Sequence, residues 1–223
     1  MRKTVLVVAA HADDEALGCG GAIARHVAEG DIVHAVFMTD GVSSRQGSNT
    51  HELERRLAAT EQARQVLGIA TTVFLGLQDN RLDGLPLLDV IQPLEEVVRQ
   101  LNPQIIYTHH YGDLNIDHRI AHQAVMTACR PTPECSVKEI YAFEVMSSTE
   151  WSSANLLPFL PTMFIDISAY LHMKVKALEA YALEMRPAPH SRSVENLIAL
   201  AHHRGYSVGV DAAEAFMVIR TLR

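Results

Sequence analysis

Five short, β-rich apolar runs alternate along this chain with longer segments whose apolar positions recur at helical spacing, and every run ends on a polar cluster. The runs are residues 5–9, 32–38, 72–75, 105–108 and 139–145; the helical patterns are residues 16–29, 51–67, 87–101 and 118–129. A strand separated from the next by a helix returns by a crossover, so such strands pair in parallel and their helices cover both faces of the sheet. The expected fold is therefore α/β: a Rossmann-like open, mostly parallel twisted sheet with helices on both faces. Pro93 predicts a bend or a split in the 87–101 helix. Beyond residue 145 the rhythm changes to a polar loop (147–161), a strand (164–167), a helix N-capped by Ser168 (168–184), a Pro-containing loop (186–193), a helix (194–204) and a last strand (215–219). The 223 residues are expected to form a single domain, with a core at about 1–146 and an extension at about 147–223.

In an open α/β sheet the ligand crevice lies beyond the carboxyl ends of the strands. Five polar clusters fall there: residues 11–15, 39–45, 78–83, 109–118 and 147–151. The first, His11-Ala12-Asp13-Asp14-Glu15, crowds acids at the end of a buried strand, where a cation would relieve their repulsion. A catalytic zinc takes three protein ligands and keeps one position for water. His11 and Asp14 can reach one ion from a single turn, His118 of Asn115-Ile116-Asp117-His118 is the third ligand from the facing loop, and Asp13 is free to act as general base. Asp117 is also expected to cap the helix that starts near His118.

Composition narrows the partners. A net charge of −7, with no basic cluster beyond pairs such as Arg55-Arg56, argues against nucleic acid. No apolar stretch has the length of a membrane span, and the first apolar run ends in acids instead of a cleavage site. Three cysteines without metal spacing suit reduced thiols, so a cytoplasmic location is expected. Gly18-Cys19-Gly20-Gly21 lacks the third glycine of a dinucleotide fingerprint, since Ile23 stands there; these glycines are read as allowing close helix packing.

The run 10–15 resembles the Ala-His-Pro-Asp-Asp-Glu signature of the PIG-L/LmbE-like zinc-dependent N-acetyl-sugar deacetylases, and Asn115–His118 resembles their His-x-Asp-His motif, in a bacterial subgroup with Asn first. Thr39-Asp40-Gly41 and the order of elements extend the likeness over most of the chain. The resemblance implies zinc, or another divalent transition metal, on His11, Asp14 and His118, with Asp13 as base and Asp117 as a catalytic partner. It also implies an N-acetylated sugar or sugar conjugate, N-acetylglucosamine-like, as substrate, with Arg56 touching its hydroxyl or phosphate groups. Loop placement adds Arg45, Asn115 and His190 as substrate contacts. The resemblance leaves a homo-oligomer open.

Two departures bear on mechanism. Ala12 replaces a Pro and removes no functional group. Asn115 replaces a protonatable His and leaves the general acid open among Asp13 returning its proton, His109, His110 and His190. A non-catalytic sugar- or metal-binding protein is the alternative from another class, and a non-haem iron oxygenase on His11, Asp13 and His118 is a less favoured enzyme reading.

Overall fold

The computed structural model describes residues 2–44 and 50–223. Its seven-stranded sheet has the order β3-β2-β1-β4-β5-β7-β6. The strands are β1 (Thr4–Ala9), β2 (Ile32–Thr39), β3 (Thr71–Leu77), β4 (Ile105–His109), β5 (Glu139–Phe143), β6 (Met163–Asp166) and β7 (Ala213–Thr221). The first five are parallel, β1 lying between β2 (Val5 opposite Val33) and β4 (Val5 opposite Ile105). β7 runs antiparallel to both β5 and β6, so the C-terminal extension adds two strands to the same sheet.

β1 is apolar without alternation because both of its faces are covered. Val5, Val7 and Ala9 pack under α1 (Asp14–Ala28), α2 (Thr50–Leu67) and α5 (Leu171–Ala180), with Leu197 of α6 (Val194–Tyr206) in the same cluster. Leu6, Val8 and Ala10 face α3 (Leu87–Leu101) and α4 (Ile116–Ala128). The chain leaves β1 toward β2 on one side, while β4 lies on the other. The crevice where the strand order reverses is thus bordered by the loop carrying His11 and the loop carrying Asn115.

Three local expectations give way. Helix α3 is one element through Pro93 and not two pieces; the carbonyl deprived of its donor belongs to exposed Asp89, where water can satisfy it, while Val90, Leu94 and Val97 stay buried. Ser168 does not cap α5: its hydroxyl donates to Asp166 Oδ1 at 2.6 Å, and the helix begins at Leu171. That helix also ends at Ala180, which frees Tyr181 and Glu184 to turn toward the site. The break falls instead in α1, where Cys19 leaves helical geometry (φ −146°, ψ 24°). A side chain at Gly18 would collide with the Phe143 ring, and a Cβ at Gly21 would lie 2.7 Å from Ile167, so this stretch does pack closely.

A buried ion pair repairs the break in α1. Glu214 of β7 accepts from the amides of Gly21 (3.0 Å) and Ala22 (2.7 Å), the orphan donors of the restarted helix. Lys174 donates to Leu17 O at 2.8 Å and to Glu214 at 2.5 Å. Glu214→Ala would leave Lys174 buried without its counter-charge, and the expected loss is about 3–5 kcal/mol. Urea unfolding checks this as a lowered midpoint at unchanged slope. A loss under about 1 kcal/mol would show that the kink holds without the pair.

Candidate metal centre and active site

At the carboxyl end of β1 the chain turns sharply into α1, and Asp13 occupies a conformation that side chains seldom adopt (φ 141°, ψ −24°). Such a residue persists only where its surroundings hold it. Here Glu15 Oε2 accepts from the Asp13 amide at 3.0 Å, and Tyr181 donates its hydroxyl to Glu15 Oε1 at 2.7 Å. Glu15 therefore supports the turn. Burial pushes its carboxyl up to about 8.

The turn and the start of α4 bring three ligand atoms together. His11 Nδ1 lies 3.2 Å from Asp14 Oδ2, His118 Nε2 lies 3.3 Å from His11 Nδ1, and His118 Nε2 lies 3.4 Å from Asp14 Oδ2. Tetrahedral ligands at about 2.0–2.1 Å from a zinc stand about 3.3 Å apart, so this triangle has the edges of one face of such a shell. Asp14 Oδ1 has no hydrogen-bond partner among the described residues, although Asp14 is buried. The donor set fits a divalent cation.

The titrating groups respond to the same crowding. Burial opposes a charge on His118, yet Asp14 and Asp113 outweigh it and push its pKa up to about 9. His11 is raised well above its ordinary value, because Asp117, Asp14 and Asp79 overcome its burial. Burial would raise Asp14, but His118, His109 and His11 hold it well below the usual carboxylate range. Without an ion the triangle collects protons.

A cavity of about 520 Å³ opens on this centre, and His11, Asp13, Arg56, Asn115 and His118 are among its walls. Arg192 donates to Asp13 Oδ2 at 3.0 Å, with Arg56 3.8 Å from the same oxygen. Burial nevertheless raises the Asp13 pKa, with Arg192 opposing it and Asp14 reinforcing it. Arg56 is itself tied to Ala12 O, to Gly41 O and to Glu184 Oε1 at 2.7 Å. Asn115 caps α4, its Oδ1 accepting from the Asp117 amide at 2.8 Å.

The structure relocates several expected residues. Asp117 is not the cap; it is fully buried, its carboxylate accepts from the amides of Asn80 (2.6 Å) and Leu82 (3.1 Å), and it stands 3.4 Å behind His11 Nε2. His190 is off the cavity wall, its Nδ1 accepting from the Arg192 amide at 3.0 Å and its ring edge-on to Trp151. His109 accepts from the Ala10 amide at 2.8 Å, and burial with the nearby His118 charge holds its pKa well down. His110 faces Leu157 O at 2.8 Å, and neither histidine lines the cavity. Arg45 lies outside the described residues. The ligand group is completed by Asp14, not by the Asp13 of the oxygenase reading, and is still two histidines and one carboxylate. The sequence assigns no role to Arg192, Asp79 or Asp113; Asp79 lies in the polar cluster after β3, while Asp113 and Arg192 lie within stretches, 109–119 and 189–193, that resemble the bacterial subgroup.

The family model PIG-L, described as GlcNAc-PI de-N-acetylase, matches residues 6–129. An uncharacterized deacetylase of Escherichia coli, YaiS, is 34% identical over 187 residues, covering 81% of this chain and 91% of its own. A 4-oxalmesaconate hydratase of Pseudomonas putida is 26% identical over 198 residues, covering 81% and 74%. A 1D-myo-inositol 2-acetamido-2-deoxy-alpha-D-glucopyranoside deacetylase of Mycolicibacterium smegmatis is 28% identical over 250 residues, covering 88% and 86%. With more than half of its length matched by the family model and a relative above 30% identity over most of it, the chain belongs to the PIG-L, GlcNAc-PI de-N-acetylase, family.

Proposed function

We propose that this protein is a metal-dependent hydrolase that removes the N-acetyl group from an amino sugar or sugar conjugate. The triangle of His11 Nδ1, Asp14 Oδ2 and His118 Nε2 beside Asp13 at the cavity carries the reading. Zinc, or another divalent transition metal on those three residues, supplies an acidified water and a polarised amide carbonyl. Asp13 does the proton work. Arg192 and Arg56 converge on its Oδ2, so Oδ1 is the oxygen that takes the proton from the attacking water. With His109, His110 and His190 off the cavity wall and Asn115 unable to give a proton, Asp13 returns that proton to the nitrogen as the C–N bond breaks. The products are acetate and the free amine.

Arg192 and Asn115 face the substrate side of the cavity, and Arg56 walls it while orienting Asp13. Arg192 takes the place expected of His190, whose part is to hold the Arg192 amide. Asp117 serves the far side of His11, not the departing amine.

The hydratase relative gives water addition to a carbon–carbon double bond as the second reading. Both cavity arginines are already paired with carboxylates, which favours a hydroxylated substrate over a polyanionic one. Metal-loaded protein is expected to release acetate, and a primary amine in equal amount, from at least one member of a panel of free and conjugated N-acetyl sugars. Hydration of an unsaturated tricarboxylate with no acetate release would overturn the deacetylase; tight sugar binding without turnover would favour a non-catalytic binder.

A further inference from the structure

Each histidine of the triangle has a carboxylate on its other ring nitrogen. His118 Nδ1 lies 3.2 Å from Asp113 Oδ1, and His11 Nε2 lies 3.0 Å from Asp79 Oδ1, charge contacts at hydrogen-bond distance but out of line with the ring N–H. Neither aspartate belongs to the triangle, and both are buried. Asp113 is held on every side: its Oδ1 accepts from the Asn115 amide at 2.9 Å and from the Ser148 hydroxyl, and its Oδ2 accepts from Thr149 Oγ1 at 2.6 Å. Asp79 accepts from the Ser44 hydroxyl, while its amide donates to Ser43 Oγ at 3.0 Å. The serines and Thr149 belong to the loops after β2 and β5 that border the cavity.

We propose that Asp113, with Asp79 as its counterpart, is a positioning residue for the metal, fixing His118 through Nδ1 and tying that histidine to the loop after β5. The inference rests on the metal-dependent reading of the site. A carboxylate on the outer nitrogen keeps the proton there, leaves the lone pair on the inner nitrogen, and fixes the ring plane. An Asn at 113 can turn its NH₂ toward Nδ1 and favour the opposite tautomer, with the proton on Nε2 where a ligand lone pair is required. His11 is backed by Asp117 at 3.4 Å as well as by Asp79, so loss of Asp79 should matter less than loss of Asp113.

The test measures zinc affinity of metal-stripped protein by competition with a chromophoric chelator, with the visible spectrum of the cobalt-loaded protein as a report on ligand geometry. Asp113→Asn is expected to weaken zinc about 10–100-fold and to alter the cobalt spectrum. Ser148→Ala/Thr149→Val, which touches no ligand, should weaken zinc by a smaller factor in the same direction and add nothing on top of Asp113→Asn, as members of one network do. Should Asp113→Asn fail to fold, the hydroxyl variant alone decides. Zinc affinity within twofold of wild type in whichever variants fold would overturn the proposal, even where the melting temperature falls. Wild-type protein that binds neither zinc nor cobalt would instead overturn the metal reading itself.

Discussion

Asp13→Asn and Asp13→Ala are expected to bind metal as wild type does while losing about 10²–10⁴ in kcat, the scale of general-base catalysis. The separation of the two effects follows from the turn after β1. Asp14 points into the triangle, whereas Asp13 points to Arg192 at 3.0 Å on the cavity side, so replacing Asp13 removes no ligand atom. The unusual backbone at Asp13 is what makes adjacent acids diverge, and the Glu15 carboxylate holds its amide in either variant. Because the same carboxyl serves first as base and then as acid in the proposed cycle, no partial activity from the second step should survive. Metal content by elemental analysis and turnover on the best acetylated substrate are the two readouts. Full metal loading with activity within about tenfold of wild type would remove Asp13 from the chemistry.

Much of this arrangement could be read from residues, for reasons that are themselves structural. The unbroken apolar run at residues 5–9 announces a strand covered on both faces, and β1 has that environment. Parallel topology then sends every polar cluster to one sheet edge, which is why His11 and His118 could be paired across 107 positions. What escaped was decided by contacts without local signal. Arg192 reaches Asp13 across 179 positions from an irregular loop, and nothing in the order of residues there distinguishes it from His190 two places earlier. Asp113 and Asp79 lie in polar clusters where several acids compete, and only burial against a ring nitrogen separates them from the rest. Ser168 lost its cap role because its Oγ accepts from the Ala212 amide at 3.1 Å, and donates to Asp166, instead of accepting from the helix that begins at Leu171.

Stripping the metal, or replacing a ligand as in His118→Ala, is expected to abolish turnover with a loss at least as large as that of Asp13. The stripped protein should also depend more steeply on pH than the loaded protein. In the absence of an ion, Asp14 and Asp113 overcome burial and push His118 up to about 9, above the 6.5 of the free side chain. A group whose pKa is raised on folding contributes stability that is complete below the unfolded value and is lost as pH climbs through the folded one. Through His118 alone the chelated enzyme should therefore lose on the order of 3 kcal/mol between about pH 6.5 and 9. Asp14 works in the other direction: held below its ordinary value, it contributes stability above the unfolded pKa that disappears only as pH falls through the depressed one, outside this window. A bound divalent ion replaces the protons on the ligand histidines with a charge that does not titrate, so the loaded enzyme should fall less steeply over the same range, its remaining slope being that of Glu15, which burial pushes up to about 8. Thermal scans of stripped, zinc-restored and His118→Ala protein at three or four pH values decide the matter. His118→Ala lacks one titrating ring and should show a shallower slope than the stripped wild type, while His11, raised by Asp117, Asp14 and Asp79, and Glu15, raised by burial, keep theirs. A stripped wild type no steeper than His118→Ala from pH 6.5 to 9 would mean that His118 does not gain a proton when the ion leaves, and that the triangle is held open by something other than charge.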